Sequence, residues 1–204
     1  MKKTVITALV FLLIGAAIGY LLFFTTAKKE SVTADVSGET QLIKTACTAV
    51  EYIKSGSFDK LAEMVHPEDG VYFVPYSYID LSTDVHFTAE QVAGIGSDET
   101  DYMWGYTDGE GAPINLSPTK YFEKYVFNQD YTTAPVIGRN YIVMSGNSIE
   151  NVKEVFPDCQ FVDFHFPGFD EQYAGMDWCT LRIVFREYEG AYKIVAIIHA
   201  QWTI

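Results

Sequence analysis

FVDFHF at 161–166, TLRIVFREY at 180–188 and AYKIVAIIHAQWTI at 191–204 decide the fold. Each alternates its side chains with a period of two, which is the pattern of a strand rather than a helix. Glu189-Gly190 between the last two is a two-residue hairpin turn. It sets Tyr188 opposite Ala191, and from there Thr180 opposite His199 and Arg182 opposite Ile197. One step further pairs His165 with Thr180 and Asp163 with Arg182. On this register one sheet face carries Asp163, His165, Thr180, Arg182 and His199 among Phe161, Val184, Val195 and Ile197. The other carries Phe164, Phe166, Leu181, Ile183, Phe185, Ile194, Ala196, Ile198 and Trp202, and is the core face.

Upstream of these strands the period changes. Leu42, Ile43, Ala46, Ala49, Val50 and Ile53 recur at helical spacing, with Gly56 as a stop. Ser57 then reads as the cap of a short helix whose Phe58, Leu61, Met64 and Val65 share a face and which ends before Pro67. Val71–Tyr78 alternates around Pro75, which predicts an edge or irregular strand. Thr88 to Gln91 fits a capping box. Tyr102–Tyr106 reads as a strand closing at a turn over 107–111. Ser117-Pro118 starts a helix carrying Tyr121, Phe122, Tyr125 and Val126. A strand near 136–144 and a helix near 148–156 complete the set. No internal repeat and no βαβ rhythm is present, so the expected architecture is α+β with an antiparallel sheet.

Two N-terminal helices with GSFDKLAEMVHPEDGV at 56–71, a third helix among short strands, and the three closing strands together resemble the nuclear transport factor 2-like superfamily, which includes ketosteroid-isomerase-like enzymes. The resemblance covers roughly 39–204. It implies a curved sheet wrapped around helices to form a cone with a pocket. More narrowly the chain is similar to membrane-anchored extracytoplasmic proteins of Gram-positive bacteria, which implies a location and no particular activity. The 92–116 insertion and the 167–178 loop exceed the minimal pattern.

The N-terminus carries its own signal. Thr4 to Thr26 contains no charged residue, and 23 helical positions reach about 34 Å, enough for a bilayer core of ~30 Å. Bulky Phe23-Phe24 at its exit argues against a cleavage site and for an uncleaved anchor. Lysines at 2, 3, 28 and 29 flank both ends. The three-residue basic tail places the following domain outside the cytoplasm. Gly15 and Gly19 would allow two anchors to approach as a homodimer, or are ordinary glycine usage in such a helix. The expected layout is an anchor with basic flanks at 1–30, a tether at 31–38 and the α+β domain at 39–204.

Charge sets further limits. Of the formal −13, the anchor region is basic, and residues 31–204 hold 10 bases against 26 acids, a net −16. Such a body repels phosphate backbones, which excludes nucleic acid as a partner. Cys47, Cys159 and Cys179 are an odd number, and the strand register holds the last two beyond disulfide reach, so three buried free thiols are expected. There is no GxSxG, HExxH, P-loop, GxGxxG or CxxC motif and no cofactor signature. Asp98, Glu99, Asp101, Asp108 and Glu110 fit no EF-hand spacing and read as a solvated acidic loop rather than a metal site.

Two readings of the polar sheet face stay open. Asp163, His165, Arg182 and His199 could bind an anion or perform acid–base work in an isomerase- or hydrolase-type enzyme. The plainer account is a solvated face with a cross-strand ion pair worth ~0–1 kcal/mol. Tyr76, Tyr78, Tyr102, Trp104 and Tyr106, with Tyr72, are candidates for the rim of a site taking a small apolar molecule, a glycan or a protein, or else core filling. The reading preferred on the sequence is a membrane-anchored, extracytoplasmic, non-catalytic binding or interaction domain.

Overall fold

The computed structural model describes residues 37–203. The expected anchor, its lysine flanks, the Gly15/Gly19 pair and most of the tether lie outside the described residues. Among the described residues no helix is long and apolar enough to cross a membrane. The chain divides into two compact units, 1–41 and 42–204. Of the first, only 37–41 is described, and it is helical.

In the second unit, helix α1 covers 42–55 and buries Leu42, Ala46, Ala49, Val50 and Ile53, one residue or more per turn along a single face. Helix α2 (Phe58–Met64) follows. Ser57 precedes it, but its hydroxyl pairs with that of Ser55 at 2.9 Å instead of capping the helix. Helix α3 (Ala89–Ala93) has the predicted capping box between Thr88 and Gln91. Helix α4 (Pro118–Tyr121) runs into a π-helical turn, Phe122–Val126, and the two bury Tyr121, Phe122, Tyr125 and Val126 as the sequence predicts. Helix α5 is short, Val152–Val155.

Eight strands complete the unit. β1 (Val71–Val74), β2 (Val85–Phe87), β5 (Val136–Arg139), β6 (Gln160–Phe166), β7 (Cys179–Tyr188) and β8 (Ala191–Gln201) form one curved sheet in the order β2-β1-β8-β7-β6-β5, while β3 (Tyr102–Tyr106) and β4 (Pro113–Leu116) pair apart. The class is α+β, but the sheet is not wholly antiparallel, because β1 runs parallel to β8, with Tyr72 beside Ala196 and Val74 beside Ile198. The helices return the chain to the end where β8 starts, as the parallel bridge of Val65 to Ile194 marks, so β1 leaves in the same direction as β8. β1 is therefore interior and not an edge. Pro75 falls one residue beyond it and removes no ladder hydrogen bond.

The hairpin turn is as read: Glu189 and Gly190 both have positive φ, the type I′ combination. β6 and β7 pair Asp163 with Arg182 and His165 with Thr180. Along β8 the expected register fails by one residue, because a β-bulge between Val184 and Phe185 absorbs an extra residue. Beyond it Leu181 faces His199 and Arg182 faces Ile198. His199 and Ile197 thereby move to the core face, and Ala196 and Ile198 move off it.

Both faces are buried. The inner face packs against α1, α2 and α4 around Phe73, Trp104, Tyr121, Phe164, Leu181 and Ile183. The outer face, expected to be solvated, holds a second apolar cluster in which Val152 and Phe156 cover Phe161, Val184, Ala196 and Ile198. The strap that makes this cover, 140–156, leaves β5 at Asn140, whose positive φ ends the strand five residues earlier than predicted. Asn140 docks on Phe161 through a reciprocal pair of 2.8 Å bonds. Asn151 does the same for Ile79 at 2.9 Å. The cysteines are free; Cys179 is buried, whereas Cys47 and Cys159 are half-buried.

The strap crosses β5 at Gly138, where an added Cβ would sit 2.5 Å from Val143 Cγ2 and 2.7 Å from the Tyr141 carbonyl oxygen. Gly138→Ala is expected to cost about 1–3 kcal/mol, since backbone must shift to admit the methyl group. Urea denaturation of the variant against the parent measures it, and an unchanged midpoint would show the strap is not pressed onto the strand.

Candidate functional site

Two polar clusters lie inside the domain, one on each side of the sheet. The outer one is built from three of the residues nominated by the sequence. Arg182 donates from Nε to Asp163 Oδ1 at 2.7 Å and from Nη2 to Asp163 Oδ2 at 3.0 Å, a two-pronged fork. Its Nη1 donates to Glu150 Oε2 on the strap at 2.5 Å. The guanidinium lies 5.1 Å above the Phe161 ring. Asp163 Oδ2 also accepts from the Val143 N–H at 3.2 Å, so the strap is tied to the pair at two points.

Asp163 and Arg182 are fully buried. Burial works against the Arg182 charge, but the Asp163 and Glu150 carboxylates outweigh it and hold the guanidinium above its usual range. Burial likewise pushes the Asp163 carboxyl up, against the pull of the Arg182 fork. Next to this pair, His165 Nδ1 lies 2.8 Å from Thr180 Oγ1, and its ring sits 5.9 Å from that of Trp178. Burial lowers the His165 pKa, which favours a neutral ring. The expectation of an exposed, weak ion pair is therefore overturned. Charges taken out of water on this scale are held only by geometry, and removing one partner costs about 3–5 kcal/mol.

The inner cluster was largely missed. His199, separated from Asp163 by the bulge, points into the core face. Its Nδ1 lies 3.2 Å from the Pro75 carbonyl oxygen, so Nδ1 carries the proton and donates. Nε2 then accepts from Asn128 at 3.4 Å, and Asn128 in turn accepts from the Tyr131 hydroxyl at 2.7 Å. Burial pushes the His199 pKa down to about 4. Nearby, Tyr125 meets the His199 ring edge at 5.7 Å and stacks on Tyr121 at 5.2 Å. The Tyr121 hydroxyl is buried without a hydrogen-bond partner. Its pKa is raised by burial and then by the Asp84 carboxylate, which is itself raised to about 6 by burial. Nothing in the STDVHF context of Asp84 marks it, and Tyr121 was legible only as a core position.

The aromatic rim separates on inspection. Trp104 is fully buried, stacked 3.8 Å from Tyr121 with its indole N–H on the Leu116 carbonyl at 2.8 Å. Tyr102 is half-buried and donates to Asp98 at 2.8 Å. Tyr72 is half-buried against His86. Tyr76 is half-buried, its hydroxyl accepting from the Asp108 N–H at 3.1 Å. Tyr78 and Tyr106 are exposed. These residues do not form one patch, and Trp104 belongs to the core. Asp98 is engaged in a turn with Thr100. Among the described residues no group of three or more His, Cys, Asp or Glu is placed to hold a metal ion.

No protein-family model matches the chain, and no curated protein matches it. Among solved structures it is similar to an NTF2-like protein with a cystatin-like fold from Novosphingobium aromaticivorans, at 9% identity and TM-score 0.39 over 84% of this chain and 86% of that one. It is also similar to Aln2 from a Streptomyces species, at 6% identity and TM-score 0.38 over 81% and 90%. The fold rests on the strand order and helices described above.

Arg182→Met alone is expected to destabilise the chain by about 3–5 kcal/mol, because Asp163 and Glu150 are left buried and unpaired. Adding Asp163→Leu and Glu150→Leu should recover most of that loss. A triple variant no more stable than Arg182→Met in denaturant titration would contradict the account.

The inner cluster makes a pH prediction. The folded-state pKa of His199 lies below its usual 6.5, so the unfolded chain takes up the proton first, and stability is complete above about 6.5 and falls as pH drops towards 4. The full loss is on the order of 3 kcal/mol. Asp84 acts oppositely, since its raised pKa makes the folded state the stronger proton binder between 3.8 and about 6. His199→Gln should therefore flatten the acid-side slope of stability, and Asp84→Asn should steepen it. Melting curves across this pH range test both signs.

Proposed function

We propose that the chain is a membrane-anchored, extracytoplasmic binding or interaction domain that performs no chemistry, with residues 4–26 as the anchor. The domain's acidity argues against anionic partners and leaves a small apolar molecule, a glycan or a protein. One observation carries the preference for binding over catalysis. The three nitrogens of Arg182 and both oxygens of Asp163 are spent on one another, on Glu150 and on the Val143 N–H, under a strap that closes the outer face. A group so fully committed has a structural role, and the residues best suited by type for catalysis are among those committed.

A second reading is favoured by the inner cluster. An isomerase- or hydrolase-type enzyme needs a carboxyl whose pKa is near neutrality beside a hydrogen-bond donor held ready. Asp84, raised to about 6, and the unpartnered Tyr121 hydroxyl, on which the Asp84 charge acts, are the candidates for these two roles. On this reading Asp84 takes the role for which Asp163 was nominated.

Placement outside the cytoplasm rests on the charges around residues 4–26. An impermeant amine-reactive reagent applied to intact cells is expected to label lysines of the 39–204 domain. Labelling only after lysis would overturn the location. For the ligand, the full chain is expected to gain thermal stability with a cell-wall fragment or a lipid, and Asp84→Asn to leave that gain unchanged. Loss of the gain in Asp84→Asn would favour the enzymatic reading.

A further inference from the structure

We propose that a concavity between the end of α1, the start of α2 and the π-helical turn after α4 is a binding site for a compact, uncharged aromatic molecule carrying one hydrogen-bond donor, as a phenol does. The proposal deepens the reading of the chain as a binding domain and rests on it. The concavity has a volume of about 310 Å³, and none of the residues of either polar cluster lines it. That volume lies at the lower end of the ~300–1,000 Å³ range of small-molecule sites, and a helix would not enter it.

Its walls are apolar and mainly aromatic. Ile53 and Phe122 form the buried floor, while Phe58 and Phe127 are half-buried and keep part of their rings open to the concavity. Phe58 meets Phe122 edge to face at 5.3 Å and 89°. It is backed by Gly96, where even a Cβ would lie 3.5 Å from its ring. A guest ring can therefore pack against fixed faces and edges, the arrangement aromatic groups prefer.

The π-helical turn makes the geometry. Phe127 N–H donates to the Phe122 carbonyl at 2.7 Å, a bond spanning five residues. In an α-helix, side chains five apart point about 140° from each other. The wider π-turn brings Phe122 and Phe127 round towards one side, where both reach the concavity. Such turns interrupt a regular helix at a cost and recur at functional sites.

Charge at the mouth selects the class of guest. Lys54 Nζ is already paired with Asp130 at 2.6 Å and bonded to Thr132 at 3.2 Å. The exposed Glu123 carboxylate stands on the rim. With Lys54 neutralised by Asp130, Glu123 is the charge left at the mouth; it disfavours an anion, and its carboxylate offers an acceptor to a phenolic O–H.

Fluorine NMR of para-fluorophenol with the full chain in lipid nanodiscs, corrected against empty nanodiscs, tests the site. Saturable binding is expected, with para-fluorobenzoate weaker by about tenfold or more. Thr119→Trp, which fills the concavity from its rim, should abolish it with near-ultraviolet circular dichroism retained. If that variant does not fold, Glu123→Gln should lower the preference for the phenol over the benzoate, and an unchanged preference overturns the proposal. Binding that survives a folded Thr119→Trp variant places the guest elsewhere and overturns this site while leaving the binding-domain reading intact. Absence of saturable phenol binding also overturns the site, whereas the thermal gain with wall fragments or lipid bears on the wider reading alone.

Discussion

The Arg182 guanidinium is the constraint on which the outer half of the domain depends. It is fully buried and joins three pieces of chain far apart in sequence: β7 through its own backbone, β6 through Asp163 and the strap through Glu150. An ion this deep is stable only with its partners in place, so the strap cannot leave the sheet without exposing a charged triad. Gly138 belongs to the same requirement, because its missing side chain lets 141–143 come close enough for the Val143 N–H to reach Asp163. The apolar cover by Val152 and Phe156 then follows from where the strap is pinned.

The bulge between Val184 and Phe185 is the second determinant. Alternation along β8 holds on each side of it, but the phase is inverted across it. His199 is thereby taken out of the Arg182 cluster and given to the core face, where Asn128 and the Pro75 carbonyl satisfy its two nitrogens. One inserted residue thus decides that the domain has two small polar clusters rather than one large one.

This also explains what could be read in advance. Period-two alternation and the Glu189-Gly190 turn give strand existence, the hairpin and the β6–β7 register, because those depend on local sequence alone. The helical face of 42–53, the capping box at Thr88 and the inward set Tyr121, Phe122, Tyr125 and Val126 were legible for the same reason. The bulge left no mark, since KIVAIIH alternates equally well in either phase when both faces are buried. The parallel pairing of β1 with β8 is set by where the helices return the chain, which no local pattern records. Glu150 was invisible as a site residue, because a glutamate in a polar turn acquires its meaning only when the strap lands on Arg182.

Burial on both faces of the sheet bears on where function resides. In a half-exposed sheet the solvated face is available for ligands, as was expected for Asp163 and His165. Here that face is sealed, and the inner face is filled by Trp104 stacked on Tyr121 beneath Phe73 and Phe87. Within that filling the exceptions are informative. A buried hydroxyl without a partner at Tyr121 and a carboxyl raised to about 6 at Asp84 are each destabilising. Asp84 is half-buried and acts electrostatically on Tyr121, and groups that cost stability tend to mark the places where a protein does something other than fold. The helical layer is different in kind, because its part-open phenylalanines around the π-helical turn leave apolar surface exposed without burying any unpaired charge. A ligand there would cover surface that folding has not covered, and it would do so without touching the residues of either polar cluster.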